Sequence, residues 1–154
     1  MSDRRPIAEP YVLSILVMPA QTNTLGVMHG GHMMSWMDMA AWVVAARAVA
    51  PDQTVYFKAV DDCVWSAPVH AGEVCHVTAR LVEVGTSSLR VELTARAEDP
   101  VAKRTRHVCR AVFTMVAAED GKAVPIRLHE GRPGSPGNAL PIAAASRAFP
   151  RSGP

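Results

Sequence analysis

The chain lacks the charge excess that a nucleic-acid ligand demands. Its formal net charge is +2, whereas a protein that lives on phosphate contacts shows a dense basic face. Cysteine is equally sparse: Cys63, Cys75 and Cys109 are odd in number and far apart, with no C-x-x-C pair. That pattern supplies neither a disulfide framework nor a zinc knuckle, and predicts three reduced, mostly buried thiols in a cytoplasmic protein. The opening MSDRRPIAEP is polar and rich in breakers, without the apolar stretch and cleavage site of a secretory signal. No internal repeat is visible. What is present is a globular balance, 49% hydrophobic and 19% charged over 154 residues, enough for one domain with a sizeable core.

Residues 11–17, YVLSILV, read as a first strand, followed by turn chemistry in Gln21, Thr22, Asn23, Thr24 and Gly26. From Met28 to Ala50 the only strongly polar side chains are His29, His32, Ser35, Asp38 and Arg47. A helix apolar on every side is either a membrane span or the centre of a globular fold. The span fails on cost: Asp38 at mid-span costs roughly 2.5–3.5 kcal/mol on the insertion scale, and Arg47 adds more. The uninterrupted apolar run is also short of the ~20 residues a span needs. Residues 30–49 are therefore read as one long helix wrapped by a sheet.

The sheet follows in order. Residues 54–66 form a strand ended by Ala67 and Pro68, and residues 73–84 form a long one after the Ala71-Gly72 turn. Gly85 to Ser88 is a tight connection. Residues 88–98 alternate, with Leu89, Val91, Leu93, Ala95 and Ala97 on one face and charged or polar residues on the other. Period two means a half-buried antiparallel strand with one wet face. Asp99-Pro100 turns the chain into a last strand, 104–117, whose end AVFTMVA is apolar on both faces. Asp120-Gly121 is expected to close the domain. From residue 131 the chain is rich in Gly, Pro, Ser and Ala, and a tail without a packing pattern is the default over 131–154.

Chemistry concentrates between Asn23 and Asp38. Gly30-Gly31 stands where the apolar helix begins, and glycines there let a ligand approach the backbone. The free N–H groups of a first helical turn, with the helix dipole, favour an oxygen carrying negative charge. Acyl transfer needs such an oxyanion site. Gly-Gly before a helix serves close packing equally well. Asp38 sharpens the reading: it follows Gly31 by seven residues, about two turns, and so lies near the same face. A carboxylate among Met34, Trp36, Met37, Met39, Ala41 and Trp42 is costly unless paired or wet. It is either a hydrogen-bonded structural group or a general base or nucleophile facing a cleft.

The order Asn23, Gly30-Gly31, Met37-Asp38, Ala59-Val60-Asp61, Pro68-Val69, Ala71-Gly72-Glu73-Val74 and Val84-Gly85-Thr86-Ser87-Ser88 resembles the hotdog acyl-CoA thioesterases. The likeness runs from about residue 11 to residue 127 and is greatest to broad-specificity bacterial enzymes akin to brain acyl-CoA hydrolase. It implies an α+β hotdog fold over residues 1–130, an antiparallel sheet wrapped around one long central helix. It also implies a homodimer or trimer of dimers with interfacial active sites. Within it Asp38 matches the catalytic carboxylate, and Asn23 matches an asparagine contributed by the opposite protomer. Gly31 matches the helix-start amide that polarises the thioester carbonyl, with Gly30 beside it. Coenzyme A is expected near Gly85, Thr86, Ser87 and Ser88, with Lys103, Arg104 and Arg106 as candidate basic contacts. Leu25 and Val27 depart from the small polar residues that close relatives often carry there.

The expected reaction is hydrolysis of an acyl-CoA to free acid and coenzyme A, without metal or cofactor. Asp38 activates water or attacks to give a mixed anhydride, and Asn23 orients the water or the thioester. Two other classes compete: a non-catalytic acyl-CoA-binding hotdog domain, and a hydratase or dehydratase in which His32 and Asp38 imitate a His–acid pair. Thiol release separates them. His29 and His32 lack a third metal ligand at fixed spacing. His70, His76 and His107 are expected to face solvent, and no histidine is placed to activate Cys63.

Overall fold

In a computed structural model, which describes residues 9–129, one helix lies across one antiparallel sheet. The expected tail lies outside the described residues. The elements run β1 (Tyr11–Leu16), a 3-10 turn (Pro19–Gln21), α1 (Gly30–Ala48), β2 (Thr54–Trp65), β3 (Val74–Val84), β4 (Ser88–Asp99), β5 (Arg104–Glu119) and β6 (Lys122–Ala123). Strand order is β1-β3-β4-β5-β2, all antiparallel, with β6 paired to β5. This is the hotdog arrangement, with β1 and β2 as the two open edges.

The alternation read over residues 88–98 holds: Leu89, Val91, Leu93, Ala95 and Ala97 are all fully buried. On β3 the inward set is Cys75, Val77, Ala79 and Leu81. These side chains meet the helix residues Met33, Trp36, Met37, Ala40, Ala41, Val44, Ala45 and Ala48. That spacing of three and four is the inner stripe of an amphipathic helix, and its alanines let sheet and helix approach closely. Ionising Cys75 or Cys109 is disfavoured by burial, which pushes their thiols up to about 11 and about 12.

The sheet packs on one side of the helix and leaves Ser35, Asp38, Met39 and Trp42 exposed. One expectation needs correction: Asp120-Gly121 does not close the domain. Both residues have positive φ, 48° and 76°, as a type I′ hairpin turn requires. The chain returns as β6 and runs back to the C-terminal end of α1, where Ala50 N–H bonds Arg127 O at 2.7 Å and His129 N–H bonds Ala48 O at 2.9 Å. Buried Gln53 pins this return, donating to Pro125 O at 2.8 Å and accepting from Arg127 N at 2.9 Å.

Candidate active site

The start of α1 is set by the loop before it. The Asn23 side-chain oxygen accepts the N–H groups of Leu25 (2.9 Å) and Val27 (3.1 Å), an Asx-type turn that fixes the loop from within. Gly26, at φ 70°, supplies the backbone conformation the turn needs. Val27 then bridges to His70, and Met28 N–H bonds Val69 O at 2.8 Å. The helix begins two residues later.

No side chain caps this helix: His29 is the N-cap and makes no side-chain bond there. The Gly30 and Gly31 amides have no acceptor among the described residues. The two glycines differ in surroundings. A Cβ on Gly30 would meet the Trp65 ring at 3.5 Å, whereas a Cβ on Gly31 would meet nothing within 4 Å. The backbone at Gly31 is therefore open to close approach, and free first-turn amides are a favourable place for an anionic oxygen.

Gly31 and Asp38 share a stripe, roughly 20° apart around the helix and about 10 Å apart along it. Ser35 lies between them on the same exposed stripe. His32, six residues before Asp38, stands roughly 120° away around the axis and does not join the stripe. Beside Asp38 runs a groove of about 360 Å³ walled by Tyr11, Leu13, Met39, Trp42 and Val43. Burial against these walls pushes the Asp38 carboxyl above the usual carboxylate range. No described residue bonds to or pairs with it. An ionisable group with raised affinity for a proton, beside an apolar groove and unpaired, has the properties of a general base.

The sequence reading named Ser35 among the polar residues of the helix and Met39 and Trp42 as neighbours of Asp38, but it assigned none of them to a groove and did not bring Tyr11, Leu13 or Val43 to it. Ser35 and Trp42 carry a helical signal, lying three before and four after Asp38. Tyr11 and Leu13 carry none, because only the packing of β1 brings them to α1. Tyr11 is itself held by Arg47, whose guanidinium lies 5.2 Å from the centre of the ring.

The remaining expected residues are not gathered in one place. Asn23 is not among the groove walls of its own chain. Gly85 to Ser88 sit at the C-terminal end of α1: Thr86 O accepts Ile126 N–H at 2.7 Å and Ser87 O accepts Ala117 N–H at 2.9 Å. Gly85 is needed sterically, since a Cβ there would lie 2.8 Å from Ser88 Oγ. Lys103, Arg104 and Arg106 stand at the opposite end of β4, roughly 30–40 Å away at about 3.3 Å per residue. Lys103 and Arg104 are exposed at the hairpin tip. Arg106 is occupied by the fold: it forks onto Glu73 through two bonds of 2.6 Å and also donates to Pro68 O. Of the solvent-facing histidines, His70 and His107 are exposed, but His76 is half-buried and bonded on both ring nitrogens. The rings of His29 and His32 lie 6.4 Å apart, and no third metal donor joins them among the described residues.

A hotdog sheet over a central helix, with open amides at the helix start and an unpaired carboxylate two turns on, is an arrangement suited to acyl transfer. Comparison with known proteins gives the family. The Thioesterase superfamily profile matches residues 25–103, and the chain belongs to that superfamily. It is 36% identical over 118 residues to an uncharacterized acyl-CoA thioester hydrolase of Zymomonas mobilis, covering 76% of each chain. It is 33% identical over 129 residues to the acyl-CoA thioester hydrolase YciA of Salmonella typhimurium, covering 80% of this chain and 94% of that one. Among solved structures it is similar to a hexameric hotdog fold thioesterase of Campylobacter jejuni, with TM-score 0.67 and 31% identity, covering 75% of this chain and 88% of that one.

Proposed function

We infer that this protein hydrolyses acyl-CoA thioesters to free acid and coenzyme A. The observation that carries the reading is Asp38: an unpaired carboxylate with a raised pKa, on one helical stripe with the open Gly31 amide and beside an apolar groove. The thioester carbonyl oxygen binds at the Gly30–Gly31 amides, where charge that develops in the transition state meets the helix N-terminus. Asp38 takes a proton from the attacking water. The acyl chain lies along Trp42, Met39 and Leu13, out of water. The Salmonella typhimurium relative is named an acyl-CoA thioester hydrolase, as is the uncharacterized Zymomonas mobilis one, which supports the same substrate class.

We further propose that the site is completed across a dimer. β2 is an open edge whose Tyr56, Phe57, Val64 and Trp65 are all more than 40% exposed, and an apolar edge of this kind invites pairing with another strand. Trp65 packs next to Gly30, so a partner along β2 arrives at the helix start. Asn23 of one protomer then serves Asp38 of the other, which accounts for its absence from the groove of its own chain. Pairing also offers a route by which the separated Gly85–Ser88 turn and Lys103–Arg104 tip serve coenzyme A from different protomers. The Campylobacter jejuni relative is hexameric, as a trimer of such dimers would be. A thiol-release assay across short, medium and long acyl-CoAs tests the activity. Release of free thiol is expected; binding without release, or interconversion of enoyl- and hydroxyacyl-CoA, would overturn it.

A further inference from the structure

On the face of the sheet turned away from α1, three side chains from three adjacent strands form a bonded chain. Ser14 of β1 and His76 of β3 are register partners, and Ser14 Oγ lies 2.7 Å from His76 Nδ1. His76 Nε2 lies 2.7 Å from Glu98 Oε2 of β4. An ionised Glu98 can only accept, so Nε2 carries the hydrogen, and a neutral ring turns the Nδ1 lone pair toward the Ser14 hydroxyl. That is the tautomer of a base ready to accept a proton. A nucleophile within reach of a base that a third group orients is the signature of an activated hydroxyl. Pleating explains why the three meet: His76 sits between buried Cys75 and Val77, Glu98 follows buried Ala97, and Ser14 is exposed on β1.

The geometry points to a second nucleophilic centre, Ser14–His76–Glu98, that takes small, unhindered acyl esters on the outer face of the sheet. It is separate from Asp38, which lies beyond the sheet on the helix. Val12 and Leu16, 52% and 51% exposed on either side of Ser14, give a short acyl group apolar contact. Arg96, the register partner of His76, brings a cation to this face, with one N–H bonded to Thr105 Oγ1 at 3.2 Å. It is the positive charge available to a developing oxyanion. Ser14 Oγ forms a bond to the ester carbonyl carbon while its proton passes to Nδ1 of His76. The bond to the leaving alkoxide then breaks, and the alkoxide takes that proton. Water, deprotonated by the same nitrogen, releases the acid and restores Ser14.

Labelling of the full-length protein with a fluorophosphonate, read by mass spectrometry of the peptides, tests this. The expected result is one adduct on Ser14 in wild type and equally in Asp38→Asn, absent in Ser14→Ala. His76→Gln slows labelling about a hundredfold, the scale of a lost general base. Glu98→Gln slows it also, since its amide can donate to Nε2 and reverse the tautomer. Ser14→Ala retains acyl-CoA hydrolysis, so failure here and failure of the thioesterase reading are distinguishable. A folded protein left unmodified at Ser14, or modified as fast in His76→Gln as in wild type, overturns the proposal.

Discussion

Asp38 meets two opposed demands, because the apolar walls that make it a useful base also make its charge costly. Its folded pKa stands above the ordinary 3.8 through burial. The folded state therefore holds the proton more tightly than the unfolded chain, and ionising Asp38 works against folding. The penalty sets in as pH rises through the window above 3.8 and persists at neutral pH. Asp38→Asn is accordingly expected to melt no lower than wild type at pH 7. Turnover should fall at least about a hundredfold, the scale of a lost acid–base group. In wild type, kcat/KM should fall on the acid side with an apparent pKa above 3.8, and that limb should vanish in the variant. Thermal melts and a pH–rate profile check both; near-normal turnover by folded Asp38→Asn would sink the mechanism.

Among the elements, the one that holds the active-site loop is β5. Arg106 grips Glu73, whose Oε2 also accepts His70 N–H at 2.8 Å. The segment Glu73 fixes includes Val69, which bonds Met28 just before the helix. The Arg106 guanidinium holds the Glu73 carboxyl below the ordinary 4.5. This stabilisation is present above that value and is lost as pH falls through the lowered one. Glu73→Gln should cost about 2 kcal/mol at pH 7, the worth of hydrogen bonds to a charged group, tempered by the exposure of Arg106. The difference from wild type should close as the solution is acidified below pH 4.5. Denaturant titrations at neutral and acid pH read this directly; a constant difference would contradict it. The sequence marks Glu73 only as part of a motif, and its partner lies 33 residues away, beyond any local pattern.

The assembly decides whether the site is complete. If Asn23 and Asp38 serve one site from opposite protomers, Asn23→Ala and Asp38→Asn homodimers are both crippled. Random exchange makes about half the dimers mixed, each with one intact site, so co-refolded variants should recover roughly a quarter of wild-type activity. No recovery, with mixed dimers confirmed by mass, would place both residues in one protomer. Sedimentation should show a dimer or a multiple of one; an active monomer at micromolar concentration would contradict the interfacial site.

The sequence by itself determined the elements and the centre of the chemistry. Period-two alternation over β4, the breakers at Pro68 and Gly85, and a long apolar segment begun by two glycines are local signals, set by backbone geometry and burial. Asp38 was legible for the same reason, as a carboxylate where its neighbours make charge costly. Only the tertiary structure decided what those elements bring together. The helix keeps an open outer stripe because one sheet covers one side, and the groove exists because β1, distant in sequence, lies along that stripe. Arg106 turns inward to Glu73, and the Gly85 turn lies at the far end of the sheet from Lys103, because strand order fixes which ends meet. Such pairings depend on contacts between residues far apart in the chain, and no local pattern records them.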